Sequence, residues 1–186
     1  MKKFVIVIAL VAILATGTAF ADHPDGFGIG LVGGMNFRGM GGAGGLSLKI
    51  PSIPIFWAIN LWGGSNYFRV GLTGDYYIID QNFAPMFHWF FGLGGFFDFY
   101  NWSYKFKNSL IKDYSYTYLD FGVRVPIGIS FQPIPLLEIW LDVAPSLGLG
   151  FWGGQSWKVG TYEHKEDPRF GFFWGIPLEI GLRLWF

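Results

Sequence analysis

From Phe170 to Phe186 every second residue is apolar: Phe170, Phe172, Trp174, Ile176, Leu178, Ile180, Leu182, Leu184 and Phe186. The residues between them include both charges of the segment after Arg169, Glu179 and Arg183, together with Gly171, Gly175 and Gly181. Successive side chains of a strand point to opposite faces, so this parity describes one wholly apolar face and one that mixes small and charged groups with Phe173, Pro177 and Trp185. A helix would scatter the charges around its circumference without regard to parity. A chain ending this way has to place a long apolar strand face against something other than water.

The same pattern recurs upstream. In 137–151, Leu137, Ile139, Leu141, Val143, Pro145, Leu147, Leu149 and Phe151 oppose Glu138, Trp140, Asp142, Ala144, Ser146, Gly148 and Gly150. In 119–131, Leu119, Phe121, Val123, Val125, Ile127, Ile129 and Phe131 oppose Asp120, Gly122, Arg124, Pro126, Gly128 and Ser130. Weaker alternation marks 26–34, 42–50, 55–62, 68–78 and 87–99, which makes eight strands. Aromatic residues are 21% of the chain, charged residues 14%, and there are 28 glycines. A soluble domain would expose many of those rings to water, whereas a transmembrane barrel turns them to lipid and keeps charges inside. The expected fold is all-β, an eight-stranded antiparallel up-and-down transmembrane β-barrel.

The N-terminus predicts export. Lys2 and Lys3 precede an apolar run from Phe4 to Ala15, and Ala19-Phe20-Ala21 offers small residues where a signal peptidase reads them. The run is shorter than the roughly 20 residues a membrane helix needs. Residues 1–21 are therefore expected to be a signal peptide and 22–186 the barrel, located in the outer membrane. There is no cysteine, which excludes disulfides, thiolate metal sites and a lipid attachment site. With 13 Lys+Arg against 13 Asp+Glu there is no basic excess to recruit nucleic acid.

Short proline-bearing connections at 51–54, 79–86 and 132–135 alternate with segments 35–41, 63–67, 100–118 and 152–169. Short periplasmic turns and longer external loops fit that asymmetry. Eight strands leave an interior just wide enough for side chains to fill. Arg183 and Glu138 fall about level near the periplasmic end, and Arg124, Asp142 and Glu179 fall level one layer higher on three consecutive strands. This interior charge network is expected to be a structural salt-bridge set rather than a catalytic acid–base pair, since buried charges need partners.

The last strand, with Leu178, Ile180, Leu182, Leu184 and terminal Phe186 at alternate positions, resembles the signal that outer-membrane barrel-assembly machinery recognises. In length and strand number the mature chain resembles small OmpA/OmpX-type barrels. The run Arg124–Phe131, taken with Leu141–Leu149, is similar to a spirochaete group of outer-membrane barrels. The resemblance implies partners in the outer-membrane bilayer and the assembly machinery.

Binding residues usually sit on loops held by a rigid scaffold. The third loop mixes Trp102, Tyr104, Lys105, Phe106, Lys107 and Lys112, a composition suited to a host or environmental ligand, and its alternation also predicts a hairpin extending past the membrane. The fourth carries His164 in a charged run. The resulting expectation is a non-enzymatic barrel, structural or binding a surface ligand through its loops. The alternative is a narrow passage for small apolar molecules, suggested by interior glycines; a lipid-modifying enzyme using His164 ranks below both. No catalytic set, metal or cofactor is expected, because His23, His88 and His164 stand far apart in sequence and no local motif joins them.

Overall fold

The computed structural model describes residues 23–36, 42–63, 66–105, 111–159 and 161–186, so the expected signal peptide at 1–21 lies outside the described residues. The described residues form twelve strand segments: β1 Gly28–Asn36, β2 Gly42–Lys49, β3 Phe56–Gly63, β4 Tyr67–Ala84, β5 Phe87–Lys105, β6 Ile111–Arg124, β7 Ile127–Ile134, β8 Leu137–Val143, β9 Ser146–Val159, β10 Tyr162–Lys165, β11 Arg169–Gly175 and β12 Pro177–Trp185. Segments that neighbour one another around the sheet pair antiparallel, and β1 closes it by pairing with β12. Three pairs of segments are single staves, β6 with β7, β8 with β9, and β11 with β12, so the barrel has eight.

Proline explains why those staves are broken and why the barrel is not. The N–H groups of Gly92, Val125 and Ala144 donate to the carbonyls of Pro126, Pro145 and Pro177, each at 2.9 Å. A proline nitrogen has no hydrogen to return, so each pair keeps one ladder bond where it would have two. Register passes through unchanged: Arg124 faces Gly94 and Ile127 faces Phe91, while on the other side Arg124 faces Ser146 and Ile127 faces Val143.

Both ends of the described chain meet at one rim, where Phe27 and Phe186 exchange backbone hydrogen bonds of 3.0 and 2.8 Å. The short turns lie at this same rim. Ile53 N–H donates to Ile50 O at 3.2 Å around Pro51-Ser52. Ser52 and Met86 follow prolines with φ of 65° and 69°, the backbone of a type II turn, which ordinarily favours glycine at that position.

The segment 79–86, expected as a turn, is strand as far as Ala84, and the turn is Pro85-Met86 alone. Register shifts between Tyr77 and Ile79 and between Asn82 and Ala84 are the reason. A bulge puts one extra residue in the strand, so inward parity moves from Asp75 and Tyr77 to Asp80 and the alternation ends at Ile78. The segment 152–169 also departs from a loop: β9 continues to Val159 and pairs with β10, Tyr162 facing Val159. At the third long connection β5 and β6 extend as a hairpin, with Lys105 facing Asp113.

Outside, the exposed face is apolar over its whole height, from Leu31 (64% exposed) and Leu46 through Leu93 and Val123 to Leu147, Phe172 and Ile180. The residues of opposite parity, including Arg124, Glu138, Asp142 and Arg183, are buried in the lumen.

Candidate functional site

The lumen is built in layers, each dictated by which inward residues the shear of the barrel brings level. Nearest the rim that carries the chain ends, Arg183 on β12 faces Glu138 on β8 directly in the register. Its guanidinium donates to Glu138 Oε2 at 2.8 Å and to Ser47 Oγ at 2.8 Å. Trp185 Nε1 donates to the same carboxylate oxygen at 3.0 Å. The Arg183 guanidinium also lies 4.4 Å from the Trp140 ring and 4.7 Å from that of Phe56, so its charge is met by a carboxylate and by aromatic faces. Lys49 caps the adjacent turn, donating to Ile53 O at 2.9 Å and Ile50 O at 3.2 Å.

His23 enters this layer from the segment before β1. Its backbone N–H donates to Asp80 Oδ2 at 3.2 Å, Nδ1 is bonded to that same oxygen, and Nε2 lies 2.6 Å from Glu138 Oε1. Burial disfavours charge on this ring, but Glu138 and Asp80 outweigh it and raise the His23 pKa to about 9. The His88 ring stands 5.3 Å from that of His23. Donor atoms of His23, Asp80 and His88 all lie within 4.8 Å of one another, and all three residues are buried.

Above these groups the lumen is filled by rings. Phe56, Tyr77 and Phe90 stack at centroid spacings of 4.2 and 4.4 Å, with Trp140 buried beside them. Gly181 makes room for the Trp140 ring: a Cβ there would stand 2.1 Å from Cζ2.

The next layer centres on Arg124, which is 2% exposed. It makes a two-pronged bond to Glu179, at 2.9 Å to Oε1 and 2.7 Å to Oε2. Its Nε lies 3.1 Å from Asp75 Oδ1, and Nη2 lies 4.0 Å from Asp142. One guanidinium is thus shared among carboxylates from three other staves, the arrangement for which its planar fork of donors is suited. Higher still, Arg69 binds Asp98 through two bonds of 2.9 and 3.1 Å. Between these two ion-paired layers is a cavity of about 70 Å³, bordered by Arg69, Asp98, Arg124 and Glu179.

The loop residues singled out in the sequence divide differently. Trp102 sits on β5, half-buried and facing Tyr67 and Tyr116 in the register. Tyr104 and Lys105 end β5, and Lys112 lies near the start of β6. Phe106 and Lys107 lie outside the described residues. His164 is exposed on β10, opposite Trp157. The structure therefore does not gather His164 with the β5–β6 residues into one described cluster.

What sequence reasoning missed is the meeting of His23 and His88. Their separation, and the bulge between Tyr77 and Ile79 that reverses the parity of Asp80, hid it; a signal was available in the expected cleavage after Ala21, which puts His23 almost at the mature terminus and so close to the closing seam.

Comparisons with known proteins give a family and a shared fold. A family model described as "Protein of unknown function (DUF3996)" matches residues 26–180. The crystal structure of a major outer membrane protein from Thermus thermophilus superposes with a TM-score of 0.54 at 11% identity, covering 86% of this chain and 98% of that one. The crystal structure of Neisserial surface protein A (NspA) matches with a TM-score of 0.41 at 13% identity, covering 88% and 98%. Among curated proteins no sequence match was found. At such low identity the likeness to the Thermus protein speaks to the fold, a small closed barrel.

Proposed function

The chain belongs to the DUF3996 family, and from that premise we propose that it is a non-enzymatic outer-membrane barrel, exported by residues 1–21, that spans the bilayer with its eight staves and meets surface ligands with its long hairpins. The observation that carries this reading is the contrast between the two radial faces of the wall. An apolar outer face suits lipid, and the lumen is crossed by ring stacks and ion pairs that bury Asp75, Asp80, Glu138 and Asp142. An outer-membrane location fits the Thermus barrel of the same fold, which is a major outer membrane protein. Leu178, Ile180, Leu182, Leu184 and Phe186 on the last stave would then serve as the assembly signal, as in barrels of the OmpA/OmpX type or the spirochaete group.

The ligand reading rests on composition and place. The β5–β6 hairpin rises at the rim opposite the chain ends and carries Trp102, Tyr104, Lys105 and Lys112, and Phe106 and Lys107 follow Lys105 in the sequence. Lysines interleaved with aromatic rings suit an anionic glycan or an acidic protein surface. The test is capture on an array of sulfated and neutral glycans and matrix proteins, comparing the full chain with a variant lacking Lys105–Lys112. Capture by the full chain and its loss from the still-folded variant is the expected result; capture retained by the variant rejects the hairpin as the binding element.

One observation favours a second reading, a narrow passage: the cavity of about 70 Å³ bordered by charged groups. It lies above the Phe56–Tyr77–Phe90 stack, which separates it from the opposite rim, so the filled-barrel reading is preferred.

A further inference from the structure

The cluster of His23, Asp80 and His88 belongs neither to the lipid-facing wall nor to the hairpins. It joins three separate parts of the chain: the segment before β1, the bulged end of β4 and the start of β5. Two features set it apart from an ordinary buried ion pair. First, Asp80 is 2% exposed, and its Oδ1 has no hydrogen-bond partner among the described residues, a costly state for a buried carboxylate oxygen. Second, His23 is oriented from behind. Its Nε2 is held 2.6 Å from Glu138 Oε1, and Glu138 is in turn fixed by Arg183 and Trp185 at 2.8 and 3.0 Å. A histidine whose far nitrogen is bonded to a carboxylate is the usual arrangement around a metal ligand, because that contact sets the ring's orientation and raises its basicity.

We propose that His23, Asp80 and His88 form a binding site for a divalent transition ion, zinc by its donor set, which staples the N-terminal segment into the rim where the barrel closes. Two imidazoles and one carboxylate match the borderline character of zinc and complete three of four tetrahedral positions, leaving the fourth to water or to the second oxygen of Asp80. Tetrahedral bonds of about 2.0–2.1 Å require donor atoms roughly 3.3 Å apart. The present donors lie within 4.8 Å of one another, so the widest pair has at most about an ångström and a half to close, while the hydrogen-bonded His23 Nδ1 and Asp80 Oδ2 move apart to admit the ion. The ion takes the place of the hydrogen between His23 Nδ1 and Asp80 Oδ2, and the Glu138 contact to Nε2 is kept. The rim gains a tie that the staves alone do not supply, since the segment before β1 adds few ladder bonds of its own.

The experiment uses the protein purified in detergent from membranes of cells expressing the full chain, stripped of ions and then titrated with Zn²⁺, and separately with Co²⁺ as a spectroscopic probe. Folded state is verified for every variant by its mobility shift on unheated gels. One zinc per chain, visible d–d bands of a four-coordinate Co²⁺ site, and a higher unfolding midpoint with zinc are expected for the wild type. His23→Gln and His88→Gln should abolish stoichiometric binding, Glu138→Gln should weaken it by about 10–100-fold, and His164→Gln on the exposed hairpin should leave it unchanged. Substoichiometric zinc on the folded wild type overturns the proposal and leaves His23 and Asp80 as an ion pair only; so does stoichiometric zinc retained by a folded His23→Gln, His88→Gln double variant. Should the variants not fold, the wild-type stoichiometry and the Co²⁺ spectrum decide the question alone.

Discussion

Replacing Arg124 by Met tests the layer on which the middle of the barrel depends. Met keeps much of the length of Arg and none of its charge, so the loss it reports is electrostatic rather than a cavity. In the native lumen the guanidinium holds Glu179 at 2.7 and 2.9 Å and stands 3.1 Å from Asp75 and 4.0 Å from Asp142. Without it, three carboxylates face one another with no cation between them. Removing one partner of a buried pair costs about 3–5 kcal/mol. The Glu179 side chain is 15% exposed and borders the cavity, so water relieves part of its stranded charge and the expected loss is about 3 kcal/mol. Adding Glu179→Gln to Arg124→Met removes one of the stranded charges, and about 1–2 kcal/mol should return, within the range of coupling found for residues in contact. The assay is urea unfolding of the purified barrel, followed by tryptophan fluorescence and by unheated gel mobility in parallel. Arg124→Met within about 0.5 kcal/mol of the wild type would refute the reasoning, because surface substitutions already span that range.

Other expectations follow from single contacts. Gly181→Ala should destabilise by about 1–3 kcal/mol through overpacking, since its Cβ would stand 2.1 Å from the Trp140 ring, while Gly33→Ala, whose nearest neighbour would be 3.9 Å away, should be tolerated; denaturant midpoints distinguish them. Met86→Gly should raise stability by up to about 1 kcal/mol by relieving a left-handed backbone at φ 69°, read by the same unfolding curve. Deleting Phe186 should lower the yield of folded barrel in membranes and leave unfolded chain behind, as measured by gel mobility of membrane fractions. His164→Ala should leave the host's lipid profile unchanged by mass spectrometry, because His164 is exposed on β10 and not drawn into a described acid–base set.

The barrel could be read from parity because an apolar outer face and a charged lumen impose opposite demands on alternate residues, and nothing in 119–131, 137–151 or 170–186 interrupts that alternation. The prolines inside those segments did not obscure it, since Pro126, Pro145 and Pro177 delete single donors and leave register intact. The end of β4 was lost for the opposite reason: the bulge between Tyr77 and Ile79 reverses parity, so Asp80 shows no alternation with Asp75 even though both point inward. Levels in the lumen were partly accessible by counting from the rim. Counting puts Arg183 level with Glu138, its direct register partner, and Arg124 level with Asp142 and Glu179, whereas the approach of Asp75 to Arg124 from β4 crosses the shear and is not revealed by counting along neighbouring staves. His23 leaves no periodic trace, because its place depends on the segment before β1 entering the lumen; its nearness to the expected cleavage after Ala21 is the one sequence clue to that position.

The proposed function depends on a lumen sealed to ions by its own side chains: the Phe56–Tyr77–Phe90 stack, the Arg183–Glu138 layer and the Arg124 cluster. Planar-bilayer conductance of the purified, gel-verified barrel tests that seal most directly. A silent membrane at all applied voltages is the expected result, with protein insertion confirmed by recovery from the bilayer material. Reproducible single-channel steps, abolished when the protein is heat-unfolded, would contradict it and move the function from the hairpins to the lumen.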